Sequence, residues 1–166
     1  MIKIESIGVI MNIAEGNLMG KREILKDKSN ENNIIANIAA NMGYYHIAVS
    51  RNYYSLFQLI IYIFDELLIE EYLEMKLKYV SKNNSIGTHQ IRIESIKKFI
   101  KENKEKYGIK PSEMHNVIKL GMMKKDRRES DYESKNILKN NYEKNNIIYC
   151  AVVRAFDRII DYEEGL

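Results

Sequence analysis

One stretch constrains this chain more than any other, Gly43 to Leu68, which reads GYYHIAVSRNYYSLFQLIIYIFDELL. Wound at 3.6 residues per turn, Tyr45, Val49, Tyr53, Leu56, Ile60, Ile63 and Leu67 form an unbroken apolar row. A second row, Ile47, Arg51, Tyr54, Gln58, Tyr62 and Asp65, sets polar groups into the same segment. A helix that is apolar nearly all round belongs in the middle of a bundle. An arginine inside it needs a partner, because an unpaired interior charge is expensive. The stretch predicts a central core helix that also carries a polar row into a site.

The other elements follow from the same periodicity. The chain has 166 residues, enough for one domain with a proper core. Residues 1 to 29 read as an N-terminal extension of uncertain structure: Ile2 and Ile4 alternate like a short strand, and Lys21 to Lys28 is a solvated charged run. Residues 30 to 166 read as the folded domain. Asn30 to Asn41 is a helix with Ile34, Ile35, Ile38 and Ala39 on its inner face, capped by Ser29 or Asn30 and ended by Gly43. The pattern of the central helix can continue to Val80, and Ser81 to Gly87 is a loop. Thr88 caps the next helix, whose inward row is His89, Ile93, Ile96 and Ile100. Pro111 opens a fourth helix with Met114, Ile118, Gly121 and Met122 inward. A last helix from about Ser134 to Glu164 buries Leu138, Tyr142, Tyr149, Val152, Phe156 and Ile159. Arg154, Asp157, Arg158 and Asp161 are spaced for ion pairs along its outer face. The expected fold is all-α, an up-down antiparallel bundle of about five helices.

Composition narrows the partners. A net charge of +3 admits an anionic partner without requiring one. Cys150 is the single cysteine, which rules out an internal disulfide and suits the cytoplasm; its apolar helical setting reads as core filler. Met1 to Val9 lacks the continuous apolar core of a signal peptide. Leu59 to Phe64 falls far short of the ~20 apolar residues of a membrane span.

Three islands stand out in order: AVSRNYYSLF (Ala48 to Phe57), Thr88-His89, and RRESDY (Arg127 to Tyr132). Together they resemble the small prokaryotic HEPN-domain proteins, over roughly Asn30 to Tyr162. The resemblance implies a helical bundle that forms a homodimer and works around RNA. It implies either a metal-independent endoribonuclease of a toxin–antitoxin or antiviral defence system, or a non-catalytic module. The latter binds nucleotide or a protein partner, such as an antitoxin or a small nucleotidyltransferase. The family's common ribonuclease motif, Arg-x4-6-His, is absent: no arginine precedes His46, His89 or His115 at that spacing, although Lys110 precedes His115. Gln58 stands where the family has a histidine.

Metal-free RNA cleavage needs a base for the ribose 2′-OH, an acid for the leaving oxygen, and cations for the charged phosphorane. His89 is the candidate acid or base, since an imidazole titrates near neutrality. Arg51 and Arg127 are candidate phosphate clamps, with Asp131 four residues on to hold Arg127. Tyr54, Gln58 and Tyr132 are candidate supporting residues, the tyrosines by hydrogen bonding or stacking on a base. Arg51, His89, Arg127, Asp131 and Tyr132 are expected to converge on one pocket. Tyr53 reads as core, and His46 and His115 as surface or cap residues. The chain has no HExxH, cysteine pair or glycine-rich phosphate loop, so no metal or cofactor is implied.

Overall fold

The computed structural model describes residues 5–82, 87–132 and 137–166; of these, the side chains of 5–22, 75, 78–82 and 132 are not described. Every element among the described residues is helical, and together they form a helical bundle. Ile2 and Ile4 lie outside the described residues.

Helix α1 runs Glu5–Asn41. It passes residues 29 and 30 without a break, so Ser29 is mid-helix and not a cap. Lys26 reaches Glu164 near the C-terminus at 2.7 Å instead of standing in solvent. At its end the Tyr44 N–H reaches Ala39 O at 2.8 Å and the Gly43 N–H reaches Ala40 O at 3.0 Å. That closure needs the left-handed backbone of Gly43, whose φ is +80°. The inner face differs from the expected one. Ala36 and Ala39 face inward at 0% and 5% exposure, while Ile34, Ile35 and Ile38 lie outward. Two alanines let α1 approach its neighbour closely.

Helix α2, Tyr45–Tyr62, is the centre of the bundle and packs on α1 and on the later helices Leu120–Tyr132 and Lys139–Glu164. It continues into a π-helical turn, Ile63–Leu67, in which the Leu68 N–H reaches back to Ile63 O at 2.8 Å. Leu68 (φ −131°, ψ 46°) breaks the helix, so α3, Ile69–Lys82, is a separate element. The wider turn adds a residue of phase, and Asp65 within it pairs with Arg92, beyond α3 in the chain.

Helix α4 is Thr88–Asn103; extended Gly87 precedes it, and no Thr88 cap bond forms. Ile93, Ile96 and Ile100 are fully buried as expected, whereas His89 is exposed. The expected fourth helix is two, α5 Pro111–Val117 and α6 Leu120–Tyr132, with the turn at Ile118 and Lys119. The turn shifts the buried row to Val117, Leu120 and Met123, and leaves Ile118 and Met122 exposed. Helix α7, Lys139–Glu164, buries Tyr149, Val152, Phe156 and Ile159; Leu138 stays outside and Tyr142 is half-buried. Cys150 is exposed, not core filler. Arg154 and Arg158 turn to buried Glu113 of α5, not to the aspartates of their own helix. No helix among the described residues is long and apolar enough to cross a membrane.

A buried hydroxyl chain ties three helices together. Ser29 Oγ lies 3.0 Å from Ser55 Oγ, which lies 3.0 Å from the Tyr149 hydroxyl. Ser55→Ala orphans groups on both sides, so a loss of about 2–3 kcal/mol is expected in urea denaturation. Ser29→Ala, at the chain's end, is expected to cost less.

Candidate functional site

The polar surface worth examining lies where α2, α4 and α6 meet. The first turn of α4 presents His89, whose ring stacks on Phe57 of α2 at 3.8 Å between centroids and 14° between planes. Its Nδ1 lies 3.1 Å from the Tyr53 hydroxyl. Tyr53 is 2% exposed, and burial pushes its phenol up to about 12, with Arg127 opposing that rise. The hydroxyl therefore keeps its hydrogen at neutral pH, and a buried O–H needs an acceptor. We assign Tyr53 as donor to Nδ1, which puts the hydrogen of the neutral ring on Nε2.

Partial desolvation of the ring, whose one face lies against Phe57, lowers the His89 pKa, and Lys124, Arg127 and Arg92 lower it further by repulsion. The ring is thus uncharged at neutral pH. The linkage has a definite sign. A folded pKa below the unfolded value makes the unfolded chain the better proton acceptor. The contribution of His89 to stability is intact above about pH 6.5, the unfolded value, and declines as pH falls toward the folded pKa. In ¹⁵N spectra the ring is expected to titrate below 6.5 with the Nε2–H tautomer dominant. Tyr53→Phe removes the donor, and a mixture of both tautomers is expected.

The cations around the ring are held by their own partners. On α6, the Arg127 guanidinium lies over the Tyr54 ring at 4.9 Å and hydrogen-bonds the Tyr54 hydroxyl. Its Nε is 2.8 Å from Asp131 Oδ2, in a charge contact without hydrogen-bond alignment. One turn earlier, Lys124 donates to Gln90 Oε1 at 2.8 Å. Arg92 makes two parallel bonds to Asp65, of 2.9 and 3.1 Å, with its guanidinium over the Tyr72 ring. Each clamp sets a cation's position while leaving it positive.

The structure thus brings His89, Tyr54, Arg127 and Asp131 into one patch. It does not bring Arg51 there. Arg51 is exposed on the α1 side of α2, with Nη1 3.3 Å from Asn32 Oδ1. The polar row spreads around α2 because its members differ in phase: Arg51 meets α1 and Tyr54 meets α6. Gln58 follows Tyr54 by about one turn and is half-buried. Tyr132 ends α6, and its side chain lies outside the described residues. Sequence reading assigned no site role to Tyr53, Phe57, Arg92 or Lys124. Helical spacing held a signal for two of them, since Arg92 is three residues after His89 and Lys124 three before Arg127. Among the described residues, no three histidine, cysteine or acidic side chains gather where they could hold a metal ion.

Comparison with protein-family models, curated proteins and solved structures found no match for this chain.

Proposed function

We propose that this protein is a HEPN-like RNA-directed protein of a prokaryotic defence or toxin–antitoxin system, acting in the cytoplasm as a metal-independent endoribonuclease. The observation that carries the reading is the His89 imidazole stacked on Phe57 and within hydrogen-bond reach of the Tyr53 hydroxyl, with its pKa held down by burial and by the nearby charges of Lys124, Arg127 and Arg92. Such a patch suits an RNA phosphate: the cations neutralise it and the imidazole faces the reacting atoms. As base, His89 takes the 2′-OH proton on Nε2. It reaches the required tautomer when the Tyr53 hydroxyl turns to accept from Nδ1–H. The 2′ oxygen then bonds to phosphorus, the bond to the 5′ oxygen breaks, and a water protonates that oxygen, the hydroxide left behind taking the proton back from His89. The arginine and lysine charges stabilise the crowded phosphorane. The homodimer and the protein partner implied by the resemblance belong to the same proposal.

One observation favours a second reading, a non-catalytic HEPN module that binds nucleotide or a partner such as a nucleotidyltransferase. Arg51, one of the two expected phosphate clamps, hydrogen-bonds to α1 instead. Incubation of the purified protein with total RNA in chelator separates the two readings. Cleavage lost in His89→Ala supports the enzyme, whereas RNA or nucleotide binding without cleavage supports the module.

A further inference from the structure

Three cations stand around His89, and they are not equivalent. Arg92 turns both terminal nitrogens to Asp65, at 2.9 and 3.1 Å. Arg127 has its Nε 2.8 Å from Asp131 Oδ2 and its Nη2 on the Tyr54 hydroxyl. Each guanidinium is matched by a carboxylate, so neither pair adds net charge to the patch. Lys124 differs from both. It is half-buried on α6, and its one polar partner among the described residues is the Gln90 side-chain carbonyl, 2.8 Å away. An ammonium has three N–H donors, so two are left for an acceptor from outside the chain.

The Gln90 amide is neutral, and its orientation is fixed. Its Nε2 donates to Glu94 Oε1 at 2.9 Å, and Lys97 Nζ donates to the same carboxylate at 3.1 and 3.2 Å. Turned over, the amide would set oxygen against carboxylate and N–H against ammonium. Gln90 therefore holds Lys124 by a carbonyl dipole, which aims the ammonium without cancelling its charge. Gln90 directly follows His89 on the first turn of α4, so Lys124 is brought to the same end of α4 as the imidazole. Of the three cations, Lys124 opposes protonation of that ring most strongly.

We infer that the Lys124 ammonium is the group that takes the RNA phosphate at this patch, and that Gln90 is the positioning residue that aims it. The inference rests on the proposed RNA-directed role of the patch and not on whether His89 cleaves. A phosphate that approaches Arg92 or Arg127 competes with a carboxylate already in place. Lys124 meets it with two donors to spare, an uncountered charge and a side chain already ordered by Gln90.

Fluorescence anisotropy with a labelled 2′-O-methyl oligoribonucleotide tests it, because that probe carries the phosphates of RNA and no 2′-OH to cleave. Affinity is measured against salt concentration. Lys124→Gln is expected to bind more weakly and to reduce the magnitude of the salt slope by about 0.7, the share of one phosphate contact on a single strand. Lys124→Arg keeps the charge and is expected to keep the slope. Lys125→Gln removes the same charge one residue on, where Glu129 already faces it at 3.7 Å, and is also expected to keep the slope. Gln90→Glu leaves Lys124 in place but neutralises it, so the slope is expected to fall as in Lys124→Gln. That variant also decides the matter if circular dichroism shows Lys124→Gln unfolded. In protein free of RNA, Lys124→Gln and Gln90→Glu are both expected to raise the His89 pKa in ¹⁵N spectra. Tyr53 and Phe57 of α2, Arg92 of α4 and Arg127 of α6 still face the ring, and only the Lys124 charge is removed or countered. An unchanged slope in folded Lys124→Gln or Gln90→Glu, or an equal loss in Lys125→Gln, would overturn the inference. So would a wild type that does not bind the probe. Unmodified RNA cut by the wild type, together with an unchanged slope in Lys124→Gln, would overturn this inference alone. Unmodified RNA left uncut, together with the expected slope losses, would support it and overturn the endoribonuclease reading alone.

Discussion

Alanine at His89 is expected to reduce RNA cleavage in chelator by about 10² to 10⁴-fold, the usual range for losing one positioned acid or base. The protein is expected to stay folded. His89 is exposed and supplies one stacked ring and one hydrogen bond. Its removal admits water to the Tyr53 hydroxyl, so the cost is about 1 kcal/mol. For a chain of this size that lowers the melting temperature by roughly 2–4 °C. Arg127→Ala provides the contrast. It removes a charge that lies over Tyr54 and beside the ring, so it is expected to weaken RNA binding and flatten its salt dependence. An unfolded His89→Ala would show that the residue is a structural element of α4. A folded variant with full cleavage would remove His89 from the chemistry.

Arg154→Ala/Arg158→Ala is expected to cost about 3 kcal/mol, a large share of the 5–15 kcal/mol that holds a domain together. Glu113 is 2% exposed and sits at the start of α5. Its carboxylate accepts the Lys110 N–H at 2.8 Å and lies 3.2 Å from Arg158 Nε and 3.9 Å from Arg154 Nε. Without the arginines, a buried carboxylate keeps one backbone bond. The expected loss is at the low end for a broken buried pair because both arginines are partly solvated. The decisive comparison adds Glu113→Gln to the double variant. A neutral side chain of the same size no longer needs a countercharge, so the triple variant is expected to be more stable than the double in urea denaturation. Equal stability would mean that the arginines act through packing of their stems alone.

By itself, the sequence determined the all-helical architecture and its centre. The reason is local: the 3.6 period of Gly43 to Leu68 and of Ile93, Ile96 and Ile100 leaves one way to bury those rows. Gly43 was legible as a helix end because few other residues accept its backbone angles. Arg127 and Asp131 were legible as a pair because four residues on a helix bring side chains together. Tertiary structure decided which neighbour faced each row. Arg51 and Tyr54 share a row on paper, yet different helices pack on either side of α2, and only Tyr54 faces α6. Tyr53 reads as core from its place in the apolar row, but whether its buried hydroxyl meets a backbone group or His89 depends on where α4 begins. Arg154 and Arg158 had aspartates at the right intrahelical spacing and took Glu113 from α5, because a buried carboxylate competes better for a cation than a solvated one. Spacing along one helix is set by the covalent chain, whereas a contact between helices depends on how their faces pack.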